Sequence, residues 1–199
     1  MRTKTKALAL ALCAVLLVVT TVFVTMAFLT SKDTVTNTFT VGKVTITLDE
    51  ADVKSDGTYV SNKDARVDAN EYKLIPGHTY IKDPTIHVAD DSEECWLFVK
   101  VENGLEDIID AETIGTQMSK NGWSLVDGET NIYAYSEIAT AETRDYKVFN
   151  NFKIKGEAAV DSYNNKNITI QAYAIQADGF ATAADAWAKA PSDWKTPAN

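Results

Sequence analysis

Two histidines, one cysteine in an apolar stretch and two acidic runs are the residues of this chain whose types could do chemistry. His78 and His87 are its only imidazoles. A zinc-peptidase helix places two histidines one turn apart with a glutamate between them, so that both nitrogens reach one metal. Here the pair stands nine residues apart in an extended stretch. An odd separation on an unbroken strand sends two side chains to opposite faces, unless Pro84, lying between them, alters the path. Glu93 or Glu94 would have to complete such a site from a loop. Solvated or edge histidines are therefore expected, and no catalytic zinc. Cys95 sits among apolar neighbours, where a thiol's pKa rises and the group is inert. It reads as a buried small hydrophobe, with an intermolecular disulfide as the alternative. Asp49-Glu50-Ala51-Asp52 and Asp90-Asp91-Ser92-Glu93-Glu94 offer the oxygen ligands calcium prefers, but neither has the spacing of a calcium loop. Neither a Gly-x-Ser-x-Gly elbow nor a glycine-rich phosphate loop occurs in the sequence. The expectation is a protein that is not an enzyme, with no catalytic, cofactor-binding or metal-binding residues and no cofactor.

The elements that carry these residues read as strands. Residues 38–48 alternate threonine with apolar side chains. Phe39 and Val41 share one parity, and Val44, Ile46 and Leu48 share the other, so a bulge at Gly42 is expected to absorb the slip. Residues 50–70 are polar and read as an exposed excursion or solvated hairpin. Residues 71–75 read as a short extended piece before the Pro76-Gly77 turn, and residues 78–88 as a strand with Pro84 at an edge or a break. Residues 95–102 form the clearest strand. Cys95, Leu97, Val99 and Val101 line one face and Trp96 and Phe98 the other, which implies cover on both sides. Asp110 is placed as the N-cap of a helix over 111–120 with Ile114 and Met118 on one face. Residues 123–126 and 130–135 make a hairpin around Asp127-Gly128-Glu129. Tyr146, Val148, Phe152 and Ile154 share a parity in a further strand. Residues 158–165 read as a helical turn or loop, 168–177 as a long strand, and 181–189 as a helix. Seven to nine strands with two or three small helices predict a mainly β, antiparallel sandwich.

The N-terminus supplies the context. Arg2, Lys4 and Lys6 precede an apolar run over 7–29, and Thr25 and Ala27 give a small-x-small pattern at its end. That is the order of parts in a secretory signal peptide, with cleavage expected between Ala27 and Phe28. The competing reading is a retained membrane anchor, because the run reaches the roughly 20 residues that span a bilayer. Either way the bulk of the protein lies outside the membrane. Cys13 admits lipoprotein processing only against the bulky Leu12 before it. Of the 19 basic residues the leader carries three, leaving 16 against 28 acidic ones, a formal charge of −12. Such a surface argues against a nucleic-acid partner. The expected organisation is signal peptide 1–27, mature N-terminal segment 28–41, sandwich domain 42–190 and a loose tail 191–199.

Several separated stretches carry a family resemblance. They are Phe28-Leu29-Thr30-Ser31-Lys32-Asp33, then Val35-Thr36-Asn37-Thr38-Phe39-Thr40-Val41-Gly42, Leu74-Ile75-Pro76-Gly77, Lys82-Asp83-Pro84, Cys95-Trp96-Leu97-Phe98-Val99-Lys100-Val101, Asn121-Gly122-Trp123 and Ala172-Tyr173-Ala174-Ile175-Gln176-Ala177. In these the chain resembles the camelysin/TasA-type family of proteins secreted by Gram-positive bacteria. The resemblance implies a jelly-roll fold, leader removal by a dedicated (SipW-type) signal peptidase, and a place in the biofilm matrix or on the cell surface. It also implies self-association into fibres, together with related matrix or anchoring proteins, by lending the mature N-terminal segment to a neighbour as an extra strand. Val35, Phe39 and Val41 would be the residues of that donor strand. The alternatives are a camelysin-like secreted metalloendopeptidase and a monomeric, membrane-tethered surface protein.

Overall fold

The computed structural model of the chain describes residues 3, 6, 7, 10–16, 42–60, 64–110 and 112–195. Residues 1–40 and 41–199 form two separate compact units. In the first, all the described residues are helical, and among the described residues no helix is long and apolar enough to cross a membrane. The expected cleavage pair Ala27 and Phe28 and the donor residues Val35, Phe39 and Val41 lie outside the described residues. So does one side of the expected bulge at Gly42.

The second unit is mainly β, and every strand pair among its described residues is antiparallel. Ten strands are present among the described residues: β1 (Ile46–Ala51), β2 (Arg66–Val67), β3 (Thr79–Ile81), β4 (Thr85–Val88), β5 (Cys95–Asn103), β6 (Trp123–Leu125), β7 (Ile132–Tyr135), β8 (Asp145–Lys147), β9 (Asn151–Lys153) and β10 (Ile168–Gln176). Two short α-helices, α1 (Ile114–Lys120) and α2 (Ala183–Trp187), and two 3-10 turns complete the unit. One sheet has the order β2-β1-β4-β8 and a second β10-β5-β7-β6, with β3-β9 as a separate pair. Residues of both large sheets meet in one core: Ile86, Val88 and Tyr146 from the first, Leu97, Val99, Val101 and Trp123 from the second.

β5 forms because apolar residues fill both of its parities. Cys95, Leu97, Val99 and Val101 enter the main core, while Trp96 and Phe98 enter a second cluster with Ala186 and Trp187 of α2. The strand is thus covered twice, as its composition requires.

β3-β9 and β4-β8 are two parts of one ladder. Tyr80 faces Phe152 and Ile86 faces Tyr146 in the same register, a step forward on one strand matching a step back on the other. Between them Lys82 N donates to Asn150 O and Val148 N donates to Pro84 O. Pro84 has no N–H to return, so the ladder is interrupted there. β4 lies between β1 and β8, so Pro84 marks a break and not an edge.

Three local expectations are corrected. Residues 71–75 form no strand; Tyr80 Oη satisfies their backbone instead, accepting from Ile75 N at 2.7 Å and donating to Lys73 O at 2.6 Å. The helix starts at Ile114 with Thr113 as its N-cap. Asp110 is otherwise engaged, its N–H donating to Lys153 O and its carboxylate pairing with Lys153 Nζ at 2.9 Å. Residues 50–70 are not simply solvated. Glu50, Ala51 and Val53 are buried. The turn at Gly57 (φ 76°) lies so close over Tyr80 that an added Cβ would stand 2.7 Å from the Tyr80 Cα.

Candidate functional site

Two of the strand edges that lack a strand partner among the described residues, those of β1 and β10, lie close together. β10 ends its sheet. β1 is paired on one side by β4, but on the other β2 reaches only Glu50 and Ala51, which leaves the stretch from Ile46 to Asp49 unpaired on that side. β1 and β10 approach one another without pairing. Val44, Ile46 and Leu48 on one side and Ile168, Ile170, Ala172 and Ala174 on the other pack against the main core yet are only partly buried. A cleft of about 1140 Å³ opens here, with Leu48, Ile168 and Ile170 in its wall. Glu50, buried at its margin, is held by Lys82 Nζ at 2.5 Å and by Asn70 Nδ2 at 2.9 Å. Two free strand edges flanking a half-covered apolar seam form a template for an extended segment.

Beside the cleft, alternating charges run across all four strands of the β2-β1-β4-β8 sheet. Arg66 on β2 places Nε 2.7 Å from Asp49 Oδ1 and Nη1 3.0 Å from Asp83 Oδ2. It also donates through Nη2 to the carbonyls of Asp49 and Asp83. Asp49 on β1 reaches His87 Nε2 at 2.9 Å, and His87 Nδ1 on β4 meets Asp145 Oδ1 of β8 at 2.7 Å. Both ring nitrogens face carboxylate oxygens, the arrangement of an imidazolium donating twice. Burial alone would lower the pKa of His87, but the bonds to Asp49 and Asp145 outweigh it and the pKa is raised. Burial likewise works to raise the pKa of Asp49, while His87 and Arg66 overcome it and hold the group below the ordinary value. A histidine engaged at both nitrogens is a clamp between strands, not a base awaiting a proton.

The other candidate residues fall apart in space or are committed. His78 bonds the Asp56 carbonyl through Nε2 at 2.7 Å and stacks edge-on to Tyr80, away from the carboxylates that hold His87. The expectation of a solvated or edge imidazole is corrected for His87, which sits on an interior strand because its two acidic neighbours make that position favourable. Asp49 and Glu50 of the first acidic run are ion-paired as above, and in the second Asp90 pairs with Arg144 and Asp91 with Lys43. Among the described residues no group of three His, Cys, Asp or Glu side chains is placed to hold a metal ion. Cys95 is fully buried, and burial pushes its thiol up to about 11.

No protein-family model matches the chain, and neither a curated protein nor a solved structure matches it. Sequence reasoning missed Arg66 and Asp83, which join the sheet's charges. The available signal is a lone arginine in the polar stretch 50–70, which reads as exposed, and a carboxylate directly before proline in the extended stretch 78–88.

Proposed function

We propose that this chain is an exported structural protein, a subunit or accessory component of an extracellular biofilm-matrix fibre, in which each copy lends residues 28–41 to the seam of the next. The observation that carries the reading is the half-covered apolar seam between the unpaired edges of β1 and β10. An extended strand laid there would bond free backbone groups and bring apolar side chains onto a core face. The proposed donor has the matching chemistry: threonines that favour extended backbone, and Val35, Phe39 and Val41 to cover the seam. Burying each such side chain contributes about 1.5–3 kcal/mol. Length fits as well. Residues 28–41 can extend over roughly 46–50 Å at 3.3–3.6 Å per residue, whereas nine-residue β10 needs about 30 Å. The remainder serves as a linker. A jelly-roll-like connectivity and removal of residues 1–27 belong to the same reading, which follows the resemblance to the camelysin/TasA-type family.

The test is direct. Secreted protein lacking residues 28–41 is expected to stay folded and monomeric while the parent forms fibres under the electron microscope. Phe39→Cys in one copy and Ile170→Cys in another are expected to crosslink in mixed fibres. Fibres of undiminished length from the truncated protein would sink the proposal, and N-terminal sequencing should find Phe28 first.

A further inference from the structure

On the β8-β9 side of the sandwich, the stretch from Lys147 to Asn151 is covered by side chains and not by a strand. β8 ends its sheet, and β9 has β3 as its strand partner on one side; on the other, backbone meets its far end, where Asp110 N donates to Lys153 O and Lys155 N to Ile108 O. In an antiparallel ladder alternate residues turn their N–H and C=O away from the partner, and an exposed row of such groups recruits further strands. Lys147 and Asn151 are the outward residues here, because Val148 and Asn150 make the ladder bonds with Pro84 and Lys82. Both of their outward carbonyls are occupied, and so is the Asn151 N–H. Trp123 Nε1 donates to Lys147 O at 2.9 Å, and Gln117 Nε2 donates to Asn151 O at 2.8 Å. Gln117 Oε1 accepts from Asn150 N at 3.0 Å and from Asn151 N at 3.3 Å. Val148 O, whose ladder partner is Pro84, accepts instead from Asn121 Nδ2 at 3.1 Å.

Gln117 is 4% exposed. Burying a primary amide is costly without partners, and the packing of α1 does not call for one, since Ile114 and Met118 already supply its apolar face. The side chain is spent on another strand's backbone. We infer that Gln117, Asn121 and Trp123 form an edge guard: they occupy the β8-β9 backbone so that a second copy of this chain cannot pair there. The guard stands on these bonds alone; its consequence, that assembly runs one way through the seam, rests on the function proposed above.

The test uses the full chain in detergent, with Asn151→Cys as a reporter of edge-to-edge approach. In the Gln117→Met variant, which keeps the side-chain length but loses all three bonds, exchange at the Asn150 and Asn151 amides should rise roughly tenfold, the equivalent of one lost buried hydrogen bond. Copies should then link through Cys at position 151, while the reporter alone stays unlinked. If Gln117→Met does not fold, Thr113→Ala removes the N-cap from α1 and is expected to act in the same direction, less strongly. A folded variant with unchanged exchange, or with faster exchange and no linkage, overturns the inference. Linkage in Gln117→Met from a parent that forms no fibres would remove the seam reading and leave the guard standing. Fibres from the parent without linkage in the variant would do the reverse.

Discussion

Replacing His87 by Gln tests the charge relay that crosses the β2-β1-β4-β8 sheet. Glutamine cannot carry the proton that lets both ring nitrogens donate to Asp49 and Asp145. The bond to Asp49 is partly buried, with side-chain exposures of 27% and 23%, and a charge-assisted bond in such a place is worth about 1.5 kcal/mol. Asp145 is 60% exposed, so solvent screening reduces that bond to about 0.5 kcal/mol or less. The substitution should therefore cost about 1.5–2 kcal/mol in mildly acidic buffer, or roughly 3–8 °C in Tm for a domain of this size. The pH dependence has a definite sign. His87 has a raised pKa when folded, so its contribution is fully present below the unfolded histidine value and is lost as pH rises through the folded one. Asp49 has a lowered pKa; its contribution is present above the unfolded carboxylate value and lost as pH falls through the folded one. Thermal melts of parent and variant from pH 4.5 to 9 should show a gap that is widest near pH 5–6 and narrows towards pH 9. A gap that is constant across that range would refute the clamp.

Three further outcomes follow from burial and geometry. Arg66→Ala removes the closer of two cationic partners from Asp83, whose side chain is 10% exposed, and leaves it Lys147 Nζ at 3.6 Å and the Ala51 N–H at 2.7 Å; with the bonds to Asp49 also lost, the cost in urea unfolding should be about 1.5–3 kcal/mol, and a loss under about 0.5 kcal/mol contradicts this. Gly57→Ala places a Cβ against Tyr80 backbone at positive φ and should cost about 2–4 kcal/mol by the same measure, the sum of left-handed strain and overpacking. The Cys95 thiol, fully buried, should resist alkylation at pH 8 in the native state and react only on unfolding, and rapid native labelling would show that the strand opens.

How much was readable from the sequence depended on whether a residue's fate was set locally. The two-faced apolar pattern of residues 95–102 could be satisfied only by cover on both sides, and β5 has it. The shared parity of Tyr146, Val148, Phe152 and Ile154 was equally informative, since all four are buried. The hairpin at Asp127-Gly128-Glu129 and the long strand β10 follow the same local logic. The failures were choices made by distant partners. Residues 71–75 have strand composition, yet the phenol of Tyr80 takes their backbone bonds. Asp110 and Thr113 are both acceptable helix caps, and Lys153 decides between them by engaging Asp110. In the candidate site, the apolar parities of β1 and β10 were visible, but that the two meet as unpaired edges is a property of sheet order. The acidic runs lack the spacing of a calcium loop, and their ion pairing was not visible because their cationic partners lie far away along the chain.

Pro84 carries one last consequence. By withholding an N–H from Val148 it leaves a carbonyl that Asn121, from the end of another element, has to satisfy. The two positions are tied by epistasis without touching through their own side chains. An ordinary residue at 84 would make the amide at 121 dispensable, whereas proline at 84 keeps it under constraint.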